Sequence, residues 1–475
     1  MQTVNRSTLL TVLFSVSCVV AFGWFIVSGN DFNNDDISNF TAIRQGDLLQ
    51  LMMTPLHGHW TPFHRFSTWL VYALAPMRFE VAVGLLMLFH AGAMAYLYAT
   101  LRRIGLDLSA KAIVCSYAAC GLLIYGMIWW ANAQLRVPHV LLCAAALYHY
   151  IAFLKGDGKW HAGLAAGLFL LDLCVYQKAV LIPVYMLVTG FLVAPATFRA
   201  TPVRAAALPA LLLAIALAYT AAYTLLLPDR LHPGPALMLS TYWTLLKAFF
   251  AALLGVTAID VPHASQQPFL GLSWAAGAFW LGLVALSLRL APGTWKVWLA
   301  MLLVLSLDFL PLITSDRTVW FGDLVPYSYR YHFETVYLAA LFAGLICAVT
   351  IRERLQRGKS FRSAGLAMVV VASYACLNVA ALDHAVSRSF EFDISRKCHD
   401  YMRNLRQGLA GVGAAPVFRD SEVPGYMSIL VGPDRASELV PLFLPAARFD
   451  ASASQYYEVL GDGQVVRRPA GQHRP

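Results

Sequence analysis

Residues 9–36 read LLTVLFSVSCVVAFGWFIVSGNDFNNDD. From Leu9 to Val27 no side chain is charged, and a run of about 20 apolar residues in a helix is what crosses the hydrocarbon core of a bilayer. Arg6 is the one flanking positive charge, and the uninterrupted apolar length, near 19 residues, exceeds the apolar region of about 7–15 residues in a signal peptide. The run therefore reads as a retained first span rather than a removed signal peptide. Beyond it the chain turns abruptly polar, with Asn30, Asp31, Asn33, Asn34, Asp35 and Asp36.

The apolar pattern recurs to about residue 383, and of all 475 residues 59% are hydrophobic and 13% charged. Mean hydropathy is +0.61, whereas soluble domains carry about 25% charged residues. That composition excludes a soluble packing. The formal charge of +9 does not point to nucleic acid, because Lys and Arg fall in short clusters between apolar runs, as the positive-inside rule requires. Of the cysteines, Cys18, Cys115, Cys120, Cys143, Cys174, Cys347 and Cys376 lie in apolar segments and Cys398 does not; their spacing is not that of a metal site, and they read as small core hydrophobes.

Spans are predicted near 8–28, 80–101, 111–130, 138–154, 161–176, 179–195, 205–227, 272–288, 297–314, 333–350 and 363–383. The fold class expected is an all-α polytopic membrane protein of about eleven transmembrane helices. With the N-terminus inside, every predicted inner loop is basic: Arg102, Arg103 and Lys111; Lys155 and Lys159; Arg199 and Arg204; Arg289 and Lys296; then Arg352, Arg354, Arg357, Lys359 and Arg362. The predicted outer loops carry Asp31, Asp35, Asp36, Asp47, Asp229, Asp260, Asp316 and Asp323. This parity requires residues 241–256, with Trp243, Leu246, Phe249, Phe250 and Leu253 on one side, to form an interfacial helix.

Two parts follow: a membrane domain, 1–383, whose first outer loop spans about 29–79, and an extracytoplasmic C-terminal segment, 384–475. The latter has the composition of a small soluble α/β chain. Arg388 to Arg406 reads as a surface helix and Tyr456 to Val466, around Asp462-Gly463, as a β-hairpin. So small a core is expected to lean on the membrane part.

The first outer loop holds the densest polar chemistry: the acidic motif 30–37, a helical stretch from Ser38 to Met53, and His57-Gly58-His59-Trp60-Thr61-Pro62-Phe63-His64-Arg65. Adjacent carboxylates at the mouth of a span are costly unless hydrated or functional. Asp35 or Asp36 suits an N-cap, with Ser38 competing, and equally suits a proton acceptor. A second outer loop ends in Tyr329-Arg330-Tyr331-His332 just before the tenth span, at the depth of a lipid phosphate, for which Arg is well shaped. The plainer reading makes Tyr327, Tyr329 and Tyr331 an aromatic belt and Arg330 an anchor. Lys178, at the turn after the fifth span, reads either as a snorkelling lysine or as a further phosphate ligand. His57, His59 and His64 leave room for a divalent cation, but their spacing in a Gly/Pro-containing loop defines no coordination geometry.

A first span followed by an acidic outer motif, a helical stretch and a His-x-x-Pro-x-x-Arg-type segment resembles the first loop of the GT-C superfamily of membrane glycosyltransferases, which includes protein O-mannosyltransferases and bacterial lipid A aminoarabinose transferases. The residues that carry the likeness are Asp35-Asp36, His59 to Arg65, and Arg330-Tyr331 before a late span; the layout matches as well. Asn33-Asn34-Asp35-Asp36 departs from the Asp-Glu form common among the mannosyltransferases. The resemblance implies a catalytic base or acceptor-binding group at Asp35 or Asp36. It implies a donor-phosphate ligand at Arg330, with Lys178 and His332 assisting and His59, His64 and Arg65 positioning loop or acceptor. The partners expected are a polyprenyl-phosphate-linked sugar, membrane lipids and a protein, lipid or polysaccharide acceptor. No cofactor is required, transfer inverts the anomeric carbon, and the location is the inner (plasma) membrane with the C-terminus extracytoplasmic. The rival is a multi-pass transporter or lipid-linked-sugar flippase, which needs ionisable groups at mid-span beside broken helices. Asp172 and Asp308, the acidic residues assigned to span interiors, lie near predicted span ends.

Overall fold

Helix dominates because apolar backbone in a bilayer must satisfy its own hydrogen bonds. The computed structural model describes residues 6–55, 59–226, 231–256, 270–358, 364–388, 390–413, 415–428 and 432–469. His57, Asp229, Asp260, Lys359 and Arg362 lie outside them. Among the described residues, seven helices are long and apolar enough to cross a membrane: Arg6–Gly29, Phe79–Arg103, Trp130–Leu154, Pro202–Leu225, Ser273–Leu290, Thr294–Ile313 and Tyr329–Gln356. Four shorter apolar helices, Leu108–Ala118, Trp160–Leu173, Gln177–Val193 and Met368–Asp383, occupy the other expected segments. The chain is a mostly helical, multi-pass membrane protein. Leu217, Leu281, Leu299 and Leu303 stay exposed on these helices, as side chains facing lipid do.

Three local expectations change. The segment 111–130 is not one helix: Leu108–Ala118 stops, the chain turns, and Leu122–Met127 resumes. At the break the Gly121 N–H donates to Asn378 Oδ1 at 2.9 Å, so a backbone group freed from the helix finds a partner. The expected interfacial helix runs Pro235–Ala252, and its buried residues are Thr241, Leu245, Leu246, Ala248, Phe249, Ala251 and Ala252. Trp243 points away, 56% exposed, because the small residues Thr241, Ala248 and Ala252 give the opposite side the closer approach to neighbouring helices. The stretch 38–53 is two helices, Asp35–Gln45 and Leu48–Met53, divided at Gly46, and the second is capped by Asp47, whose Oδ1 accepts the Gln50 N–H at 2.9 Å.

Chain contacts divide the protein into two units. The larger comprises residues 1–22, 87–127 and 136–385 and contains most of the apolar helices. Within it Gly126 has no substitute, since a Cβ there would lie 2.5 Å from the Phe333 ring. That close approach seats Phe333, and with it the segment 329–332, against Leu122–Met127.

The smaller unit comprises residues 23–86, 128–135 and 386–475. The loop after the first span and the C-terminal segment therefore share one core, although some 300 residues of sequence separate them. Its helix Phe390–Ala410 buries Phe392, Cys398, Tyr401, Met402 and Leu405, and Phe32, Ile37 and Phe40 are buried in the same unit. Four strands, β1 Val417–Phe418, β2 Arg448–Phe449, β3 Gln455–Val459 and β4 Val465–Pro469, pair in the order β2-β1-β3-β4. β1 is parallel to β2 and β3; β3 and β4 form the expected hairpin, with Gly463 at φ 86 in its turn.

Candidate functional site

In the smaller unit the acidic motif is built into a helix start, but not as caps. Asn34 holds the N-cap position, at φ 48 and without a side-chain capping bond, so Asp35 and Asp36 are the first two helical residues. Their oxygens are then available to other partners. Asp36 is fully buried; its Oδ1 accepts the Ala131 N–H at 2.7 Å and its Oδ2 the Asn33 N–H at 3.1 Å. Burial, reinforced by the neighbouring Asp35 charge, pushes the Asp36 carboxyl well above the usual carboxylate range despite those two donors. Asp35 is half-buried, and its Oδ1 accepts the Trp129 indole N–H at 2.8 Å. The two carboxylates thus differ: one is buried in backbone, the other reachable and oriented by an indole.

The His-Pro-Arg segment folds as the helix Pro62–Leu74 with Pro62 at its first turn, where the missing N–H costs nothing. His64 and Arg65 are buried, and Arg65 Nη1 donates to Asn39 Oδ1 at 2.7 Å, which ties this helix to Asp35–Gln45. His59 sits just before the helix, half-buried. Among the described residues no group of three or more His, Cys, Asp or Glu gathers as metal ligands.

The larger unit holds Lys178 and Arg330, together with a buried charge network to which Lys178 belongs. Arg136 Nη1 donates to both oxygens of Glu334, at 2.6 and 2.8 Å. Lys178 is not a snorkelling side chain: it is buried in the short turn Gln177–Leu181, with Nζ 3.2 Å from Asp308 Oδ2 and 3.4 Å from Glu334 Oε2. Asp308 also accepts from the Tyr185 hydroxyl at 3.0 Å and from Thr335 Oγ1 at 2.5 Å. His139 Nδ1 pairs with Asp172 Oδ2 at 2.8 Å.

Tyr331 stands beside that network. Three guanidinium groups converge on its ring, Arg136 at 5.1 Å, Arg330 at 5.2 Å and Arg317 at 5.6 Å from the centroid. Arg317 Nη1 also donates to its hydroxyl at 2.9 Å. Tyr329 and Tyr331 are buried, so they are not a lipid-facing aromatic belt. His332 is fully buried, with Nε2 3.0 Å from the Pro326 carbonyl and its ring stacked on Phe249. Its ring also meets those of Phe309 and Tyr329.

The expected residues thus sort by unit: Asp35, Asp36, His59, His64 and Arg65 in the smaller, Lys178, Arg330 and His332 in the larger. Sequence reading gave no site role of their own to Arg136, Arg317, Tyr331 and Glu334, nor in the smaller unit to Asp31 and Arg406. A signal existed for Arg136, the one charged residue between Lys111 and Lys155. Glu334 opens the predicted tenth span and belonged with Asp172 and Asp308 as an acidic residue inside an apolar segment.

No protein-family model and no curated protein sequence matches this chain. Among solved structures, the chain is similar to the crystal structure of ArnT from Cupriavidus metallidurans bound to undecaprenyl phosphate, at 13% sequence identity and a TM-score of 0.43, over 94% of this chain and 87% of that one.

Proposed function

We propose that this protein is a membrane glycosyltransferase that moves a sugar from a polyprenyl-phosphate donor to an acceptor at the outer face of the membrane. The observation that carries the reading is the convergence of Arg136, Arg317 and Arg330 on Tyr331. Guanidinium groups are shaped to bind phosphate oxygens by paired N–H donors, and a low-dielectric setting strengthens them. Held there, the donor phosphate is stabilised as it departs. Lys178 and Arg136, tied to Asp308 and Glu334, hold that surface rigid. The acceptor hydroxyl gives its proton to Asp35, the reachable carboxylate, while Asp36 locks the helix start. Attack opposite the leaving phosphate inverts the anomeric carbon.

Transport is the second reading, favoured by the broken helix at Gly121 and by the buried network of Arg136, Lys178, Asp308 and Glu334. One experiment separates the two: release of polyprenyl phosphate from synthetic labelled donors by purified protein, compared with Asp35→Asn/Asp36→Asn and Arg330→Ala. Donor-dependent release that vanishes in the variants supports transfer. Folded protein that turns over no donor supports transport.

A further inference from the structure

The C-terminal segment does more in the smaller unit than complete a core. One face of the helix Phe390–Ala410 carries Cys398, His399, Met402, Leu405 and Arg406, spaced so that they align at helical period. Two of these are polar, and both reach the acidic motif. Arg406 donates to Asp31 through two nitrogens, Nη1 to Oδ2 at 2.5 Å and Nη2 to Oδ1 at 2.7 Å, and Nη2 also donates to the Met77 carbonyl at 2.9 Å. His399 Nδ1 lies 3.1 Å from the Asn30 carbonyl. A third tie comes from the same segment, where the Met427 carbonyl accepts the Asn34 N–H at 2.9 Å.

These ties reach the catalytic candidates through very few bonds. Asp31 Oδ1 also accepts the Phe32 N–H at 2.8 Å, and the Asp31 carbonyl accepts from Asn33 Nδ2 at 2.9 Å. The Asn33 N–H in turn donates to Asp36 Oδ2. Asn34, held at φ 48, and Met77, at φ 56, adopt a backbone region that side chains other than glycine rarely occupy, and both are gripped by this segment.

We propose that the C-terminal segment is part of the acidic site, with Arg406 and His399 as positioning residues that hold Asn30 and Asp31 and so orient Asp35 and Asp36. The inference rests on the glycosyltransferase reading above. The charged or titratable groups facing Asp31 and Asp36 are Asp35, Arg406, His399 and Cys398.

The test uses the full-length protein in detergent with a synthetic polyprenyl-phosphate sugar, and compares Arg406→Ala, Arg406→Lys and, as a control on the exposed side of the same helix, Arg403→Ala. Displacement of a reacting carboxylate by about 1 Å costs on the order of a hundredfold in rate. Arg406→Ala is expected to lower kcat by about that factor with the donor KM and the donor-binding stoichiometry unchanged. The acid limb of its pH profile moves upward as the guanidinium charge disappears beside Asp31, and Arg406→Lys restores the limb and part of kcat. Should the alanine variant not accumulate folded, Arg406→Gln, which keeps hydrogen-bonding groups but no charge, carries the same readouts. A kcat matching that of Arg403→Ala, or an unmoved acid limb, overturns the inference. Transfer that survives Asp35→Asn/Asp36→Asn overturns instead the reading on which it rests.

Discussion

Arg136 and Glu334, 198 positions apart, meet in the interior of the larger unit with one guanidinium nitrogen donating to both carboxylate oxygens. Each side chain is 3% exposed. Removing one partner strands the other, at a cost of about 3–5 kcal/mol for a buried pair. Glu334→Gln is expected to lower the unfolding free energy in detergent by an amount of that order, read as a lower unfolding midpoint, whereas Arg136→Met/Glu334→Leu recovers most of it. A midpoint for Glu334→Gln equal to the native one would mean that the pair is not buried in the protein as prepared.

The Tyr331 cluster predicts donor affinity. A hydrogen bond to a charged group contributes about 1.5–3 kcal/mol when its loss leaves the partner unmatched. Arg317→Ala and Arg330→Ala are each expected to weaken binding of polyprenyl phosphate by roughly ten- to hundredfold, and lysine at either position restores little because it lacks the planar fork. Titration with the lipid phosphate, read by calorimetry or spectral shift, checks this; undiminished binding in both variants removes the cluster from the donor site.

Asp35 and Asp36 are expected to fail differently. Asp35→Asn keeps the Trp129 contact by shape and loses the proton acceptor, so kcat collapses while stability holds. Asp36→Asn alters a fully buried group. Because burial raises the Asp36 carboxyl, the folded state holds its proton to a higher pH than the unfolded chain does. Native stability therefore falls as pH rises from the unfolded value through the folded one, and asparagine at 36 should flatten that slope. Unfolding midpoints across the acidic range for both variants measure the difference.

Gly126 gives a packing prediction. A methyl group there meets the Phe333 ring at 2.5 Å, and overpacking of this kind costs about 1–3 kcal/mol. Gly126→Ala should lower both thermal stability and donor affinity, since Phe333 adjoins the segment carrying Arg330 and Tyr331. Loss of stability alone would show that the segment 329–332 is seated by other contacts.

The apolar helices were legible because lipid imposes a one-dimensional rule: a crossing segment must be long, apolar and helical, and Leu9 to Val27 states that in its own composition. The hairpin around Asp462-Gly463 was legible for a similar reason, since its turn demands a glycine at positive φ. The break at Gly121 was not, because its stability comes from Asn378, 257 positions away.

Local sequence also marked Asp35, Asp36, Arg65 and Arg330 as costly groups beside apolar runs that needed an explanation. What each of them touches is a three-dimensional matter. Lys178 looked like a side chain reaching for water until Asp308 and Glu334 were placed beside it. Asp31 stood in the acidic motif and Arg406 at the end of the predicted surface helix, but nothing marked them as a pair, since an ion pair spanning 375 positions leaves no periodic or spacing signal in either segment. Composition and hydrophobic length thus determined the membrane architecture, being sums over neighbouring residues, while the pairing of charges was decided only by tertiary structure, because burial makes an ion depend on whichever distant partner the fold brings within about 3 Å.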